Sequence, residues 1–412
     1  MNIRVVEYGA LLALCAGVAL GASEGNRGRA KGDPKQPSQN STCNDVPAHP
    51  LDVVLGQPTR DSVTLSVLAY QDIEGGIAYG TQPGHLTRQT PTRRFANGEP
   101  VELVIGSLQA DTRYFYQFRS RSLNGKEAAF HTQRFYFGRL CHAAPLFLVL
   151  GNHDGESPRG RGSDADGLAV WSNRMRKRYF PNPTADGFFT GNAARHPEAG
   201  LLQDYYAWQW GDALFVVLDP FWFTQKQPGK GGPWRRSLGA EQYQWLHRTL
   251  EASKVKFKLI FIHHLVGGTD DQGRGGAEAA PFFEWGGKNA DGSDGFTRNR
   301  PGWPAPVHQV LVQSRVSIVF HGHDHLYAKQ DLDGIVYQEV PQPGNQGNGR
   351  APRYAAEYGY RDGVILGGSG HVRVAVSPDK LTVDYVGVDV LQDEHASRGN
   401  RHVSHSYTIT AR

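Results

Sequence analysis

Long runs of any one kind are missing from this 412-residue chain. Charge of one sign does not accumulate: 44 Lys and Arg face 40 Asp and Glu, for a net +4, and the basic residues are scattered, mostly as Arg. That pattern argues against a nucleic-acid partner and only mildly favours attraction of a small anion. No apolar run reaches the roughly 20 residues that a membrane span needs. No internal repeat is present, which excludes a solenoid. Cysteine is scarce, 3 in all, too few for a disulfide framework. Cys15 falls in an amino-terminal leader, and the sequence leaves open whether Cys43 and Cys141 pair. What is abundant is glycine, 50 residues, with 24 prolines and an ordinary apolar share of 39%. These imply a loop-rich α/β protein with one or two domains and ample length for a buried core.

The chain opens like an export signal. Arg4 supplies the positive start, residues 8–20 the short apolar region, and Ala19-Leu20-Gly21 before Ala22 a small-residue cleavage site. The apolar stretch is short for a span, so cleavage is expected rather than stable membrane insertion. Leu14 before Cys15 argues against lipidation. Residues 23–45, polar and rich in Gly, Ser and Asn, form a linker. From 46 to 137 come short strand-like runs at 53–55, 62–67, 76–79, 101–105 and 114–118, at the spacing of a β-sandwich. From 138 to 395 strands alternate with helical patterns at 168–179 and 240–252, an α/β arrangement. A last strand closes the chain within 396–412.

Three short motifs each follow an apolar run read as a buried strand: Gly151-Asn152-His153-Asp154 after 145–150, His263-His264 after 258–262, and Gly322-His323-Asp324-His325 after 316–320. Loops at the carboxyl ends of strands are where α/β folds gather chemistry. Imidazoles and an Asn amide oxygen converging there suit borderline metals such as zinc, iron or manganese. Taken singly, a His after a strand is more often a cap or core residue. The ordered set is what carries the signal.

That set resembles the calcineurin-like metallophosphoesterase superfamily. The strand-rich stretch before it, with Leu108 to Tyr116 similar to a fibronectin type III signature in which a Tyr near a strand start ties a sandwich corner, narrows the resemblance to relatives of purple acid phosphatases. The resemblance implies an α+β sandwich of two mixed sheets flanked by helices, behind an all-β sandwich. It implies hydrolysis of a small phosphoester by a site of two metals in the family. By the same resemblance, Asn152, His263 and His323 are ligands of the second metal and His325 of the first. His153 contacts or protonates the substrate, and Asp154 orients His153. His264 is a structural neighbour, and Leu265 stands where the family often has Pro. The oligomeric state is not legible.

The family also places an Asp-x-His and a Gly-Asp motif before Gly-Asn-His, to supply the first metal's ligands and the bridging carboxylate. Here residues 133–137 resemble the strand that should carry Asp-x-His, and 138–144 lead straight to the Gly-Asn-His strand with no Asp or Glu between. His142 is the one plausible ligand there, and Gly211-Asp212 reads as a hairpin turn. Neighbouring parallel strands need a crossover of a dozen or more residues. Either the first strand is displaced or the sheet has lost members, through deletion or a misassembled gene. The consequence is a site with one transition metal or none, unless another carboxylate such as Asp219 moves in, and impaired catalysis. The alternative is an inactive single-metal or metal-free binding or surface protein. Residues 284–287 and 300–303 read as a packed loop using Trp as its own small core, or as an aromatic and basic lining of the mouth. Arg274 reads equally as a phosphate partner or a solvated loop residue.

Overall fold

The computed structural model describes residues 2–4, 12–14, 51–123, 141–157, 167–224, 232–270, 272–343, 351–388 and 402–412. The expected linker, Cys43 and the expected strand at 133–137 lie outside them. Of the expected leader, Asn2–Arg4 pairs antiparallel with residues 113–115, and Leu12–Leu14 with residues 372–374. Among the described residues no helix is long and apolar enough to cross a membrane.

Alternation of buried and half-exposed positions, as in Leu51–Gly56, builds two small antiparallel sheets. One orders Leu51–Gly56, Val63–Ala69 and Pro100–Ile105. The other centres on Ile73–Gly80 and Arg113–Ser122. Leu55, Leu65 and Val67 from the first share a core with Ile73, Ile77 and Phe118 from the second. Tyr114 accepts the Gln109 N–H at 2.9 Å on its hydroxyl, bracing the chain reversal before its strand.

The larger sheet has eight strands. Its centre is four parallel neighbours: Ala213–Val217, Phe257–Phe261, Ile318–His321 and Ile335–Glu339. Every position in all four is buried, as the continuous apolar runs of a sheet covered on both faces require. The helices Ala240–Ala252 and Val307–Gln313 supply the first two crossovers and lay Tyr243, Leu246, Leu250, Val310 and Leu311 on one face, against Val216, Ile260 and Val319. The alternate residues Phe215, Phe261 and Phe320 point to the other face and meet Val372, Val374, Leu381 and Val383 of a second sheet. Gly211-Asp212 is the expected hairpin turn, joining Tyr206–Trp210 to Ala213–Val217.

Two expectations need correcting. The second sheet is not mixed. Its four strands, Leu12–Leu14, Gly370–Val376, Lys380–Gly387 and Val403–Thr410, are all antiparallel. Gly370–Val376 and Lys380–Gly387 are joined by too short a turn to run any other way. Nor is 145–150 a buried strand. It is half-buried up to Val149 and enters no ladder among the described strands. Phe147 stacks on Trp208 at 4.1 Å, Leu146 donates its N–H to Leu55, and Leu148 accepts the Tyr206 hydroxyl. An apolar run fixes burial, but a ladder also needs a partner with free backbone groups. The adjacent strand Tyr206–Trp210 is already paired with Ala213–Val217 on one side and with Thr190–Gly191 on the other.

Candidate metal centre

The parallel strands end together, and their carboxyl ends carry the motifs. His263 follows Phe257–Phe261, and residues 322–325 follow Ile318–His321. The two loops are laced by the Gly322 N–H donating to the His263 carbonyl at 2.8 Å. Asn152 enters on the loop after 145–150. Gly151 allows its approach, since a Cβ there would stand 3.3 Å from the His263 ring.

Three donor atoms meet at this point. His263 Nε2 lies 2.9 Å from Asn152 Oδ1 and 3.1 Å from His323 Nδ1. The other His323 nitrogen, Nε2, lies 3.1 Å from the Gln272 carbonyl, which can only accept. The proton therefore sits on Nε2, and Nδ1 turns its lone pair into the cluster. Burial and the neighbouring His323 press the His263 imidazole down to about 3. Burial and Arg274 press His323 down to about 4. Both rings are neutral near neutrality, as ligands must be.

His323 and His325 adopt φ of 87° and 60°, left-handed values that cost a side chain of this size about 1–3 kcal/mol each. The turn is held by what lies beneath it. Glu339, fully buried, accepts the Asp324 N–H at 2.9 Å and the His325 N–H as well. Asp324 accepts the Gly275 N–H and the Tyr360 hydroxyl, both at 2.8 Å. Burial and Glu339 push the Asp324 carboxyl up to about 7. The Asn152 loop has its own anchor. Glu156, 2% exposed, takes two hydrogen bonds from Arg176 at 2.5 and 3.0 Å and one from Asn173 at 2.9 Å. Both donors stand on the helix Leu168–Tyr179.

The remaining expected residues fall around this trio. His153 and His325 are exposed at the mouth, within electrostatic range of each other. Asp154 closes its own turn by accepting the Gly151 N–H at 2.7 Å. His264 is buried, with Nδ1 3.0 Å from the Leu265 carbonyl. Asp219 is buried, but its oxygens accept the Phe221 and Trp222 N–H groups at 2.8 and 3.0 Å and so cap a turn. Trp285, on the short helix Phe283–Gly286, is buried in the main core against Tyr337, and the buried Glu284 pairs with Arg300, so this segment packs inward rather than forming a small core of its own. Glu339, Glu156 and the Gln272 carbonyl carry no motif. The one sequence signal was a carboxylate set inside the apolar run 335–340.

Two imidazole nitrogens and an amide oxygen, all neutral, suit one borderline cation. Their separations of 2.9 and 3.1 Å are a little under the roughly 3.3 Å between ligands of a tetrahedral ion with bonds near 2.0–2.1 Å. Among the described residues, no group of three or more His, Cys, Asp and Glu is placed to hold a metal. The trio itself includes no carboxylate to offset the repulsion of a second cation alongside.

The fold is shared with proteins of known structure. A solved structure of PhoD matches with a TM-score of 0.55 at 14% identity, over 87% of this chain and 88% of that one. Purple acid phosphatase PPD1 from yellow lupin (Lupinus luteus) seeds matches with a TM-score of 0.52 at 13% identity, over 89% of this chain and 75% of that one. No family model and no curated protein matches the chain. The likeness is one of fold.

Proposed function

We propose that this chain is an exported, metal-dependent hydrolase of small phosphoesters whose turnover is impaired by loss of the first-metal half of its site. The observation that carries the reading is the meeting of Asn152 Oδ1, His263 Nε2 and His323 Nδ1 at the carboxyl ends of the parallel strands. These three would hold the cation, with His325 a further imidazole within electrostatic range of His263 and His323. Zinc, iron or manganese bound there would polarise a phosphoryl oxygen and lower the pKa of a water. The chain's own residues do the rest. Gln272 keeps His323 in the tautomer that presents Nδ1. Glu339 and Tyr360 hold the strained turn that aims it. His153, exposed and within electrostatic range of His325, would donate a proton to the leaving oxygen.

The domain plan belongs to the same reading: a leader at 1–22, a linker at 23–45, a fibronectin-like sandwich at 46–137, the phosphoesterase unit at 138–395 and a closing strand at 396–412. The test is elemental analysis of the purified chain beside hydrolysis of an aryl phosphate. Metal-dependent hydrolysis abolished by His323→Ala supports the reading, and hydrolysis indifferent to a chelator sinks it. A second reading, a single-metal binding protein without catalysis, is favoured by the neutral character of every donor in the cluster. It predicts bound metal with no hydrolysis.

A further inference from the structure

Four arginines stand out around the site, and three have their guanidinium donors committed. Arg176 bonds Glu156 and the Gln203 and Leu202 carbonyls. Arg236 donates to the Gly267 and Asp270 carbonyls. Arg300 pairs with Glu284 and donates to the Asn299, Trp234 and Arg236 carbonyls. Arg274 differs. Among the described residues its guanidinium donates no hydrogen bond. The Asp270 carboxylate with which it pairs is 3.6 Å away, beyond hydrogen-bond reach. Both Asp270 and Arg274 are about a third exposed, at 38% and 31% of their side chains.

The backbone fixes where Arg274 sits. Two residues before it, the Gln272 carbonyl holds His323 Nε2, and one residue after it, the Gly275 N–H holds Asp324. Arg274 is thus strapped across the turn that presents His323 and His325. Asp270 Oδ1 accepts the Gln272 and Arg274 N–H groups at 2.8 and 3.0 Å, fixing the strap. The guanidinium carbon lies over the Tyr358 ring, 4.4 Å from its centre. With the guanidinium over a ring and its N–H groups donating to no described residue, the fork of donors is left for a ligand.

We propose that Arg274 is the anion-holding residue of the mouth, taking two non-bridging oxygens of a phosphoryl group through its guanidinium edge. This deepens the reading of a phosphoester site and rests on it for the choice of phosphate. A planar fork matches two phosphate oxygens, while an ammonium offers a point charge. Asp270 is the internal competitor. A doubly charged phosphate displaces it from Arg274 more readily than a singly charged diester does, so the pair favours monoesters.

The experiment measures inorganic phosphate binding calorimetrically to the full chain as purified, with metal content and melting followed in parallel. Parent, Arg274→Ala and Arg274→Lys are compared, with sulfate as a second anion. The expected result is at least tenfold weaker phosphate binding in Arg274→Ala, partial recovery in Arg274→Lys, and unchanged metal content and melting. Asp270→Asn keeps an acceptor for the strap and should bind phosphate more tightly. Equal phosphate affinity in parent and Arg274→Ala, or no phosphate binding by the parent, overturns the proposal. The two readings fail separately. If phosphate binding depends on Arg274 but no phosphoester is hydrolysed, the hydrolase reading falls and this one stands. If hydrolysis needs His323 while Arg274→Ala leaves phosphate affinity unchanged, the reverse holds.

Discussion

Glu339 Oε2 lies 2.7 Å from Nδ1 of His321, its direct partner across two parallel strands. This buried pair sits under the turn that bears His323 and His325, and the same carboxyl accepts the Asp324 N–H. Glu339→Leu would leave that N–H and the His325 N–H without this acceptor in a dry interior. The expected cost is about 3 kcal/mol. Glu339→Gln, which keeps an acceptor for the Asp324 N–H, should cost less than half as much. Urea unfolding of both variants measures it. A Leu variant as stable as the parent would show that the turn does not depend on Glu339.

Metal content follows from the donor set. The purified chain should carry one transition-metal ion or none, and His323→Ala should lose whatever is there. Two tightly held ions per chain by elemental analysis would mean that carboxylates outside the described residues complete the site.

Asp204 gives the chain a pH signature away from the cluster. It is buried, one oxygen accepts the Tyr205 N–H, and the other has no partner. Burial pushes its carboxyl up to about 6, with Arg176 pulling the other way. From about pH 4, the usual value, to about 6, the native chain binds the extra proton and the unfolded chain does not. Stability from this group is therefore full below about pH 4 and is lost as pH rises through 6. Asp204→Asn removes the titration. Its stability relative to the parent should improve steadily from about pH 4 to about pH 7, and a flat difference in urea midpoint would refute this.

Catalysis should be very weak toward an aryl phosphate. A neutral donor set for one cation supplies neither a bridging hydroxide nor a second Lewis acid. Each 1.36 kcal/mol of assistance lost slows the reaction about tenfold. His153→Ala should remove most of the residual rate without changing metal content. Inserting a segment with Asp-x-His and Gly-Asp between Phe137 and Pro145 should raise both metal binding and turnover. Fast turnover by the unaltered chain would show that other residues replace the missing carboxylates.

Much of this was legible because local pattern and tertiary environment agree. The helices Leu168–Tyr179 and Ala240–Ala252 begin and end where their periodicity places them. The trio was legible because each member closes a strand in an ordered motif. Residues 145–150 were misread because apolar character reports burial and says nothing of whether a neighbour has free backbone groups. Glu339 and Glu156 were invisible as site residues because their role is to bond backbone N–H groups and an arginine from a distant helix, contacts that no spacing encodes. Trp285 was expected to form a small core within its own loop, whereas it stands on the short helix Phe283–Gly286 and joins the main core beside the large sheet, a long-range contact that local composition does not encode.

The unladdered stretch 145–150 makes the three donors unequal in their tethering. His263 and His323 follow central strands paired on both sides, whereas Asn152 hangs from an arm with few backbone bonds among the described residues. In hydrogen exchange, the amides of Phe257–Phe261 should be among the slowest in the chain and those of the arm among the fast. A cation gripping all three atoms would fasten that arm to the sheet, and part of its binding free energy would go into ordering it. Affinity would then be modest for a site of this kind, and slowed exchange along the arm would report occupancy even in a protein that turns nothing over.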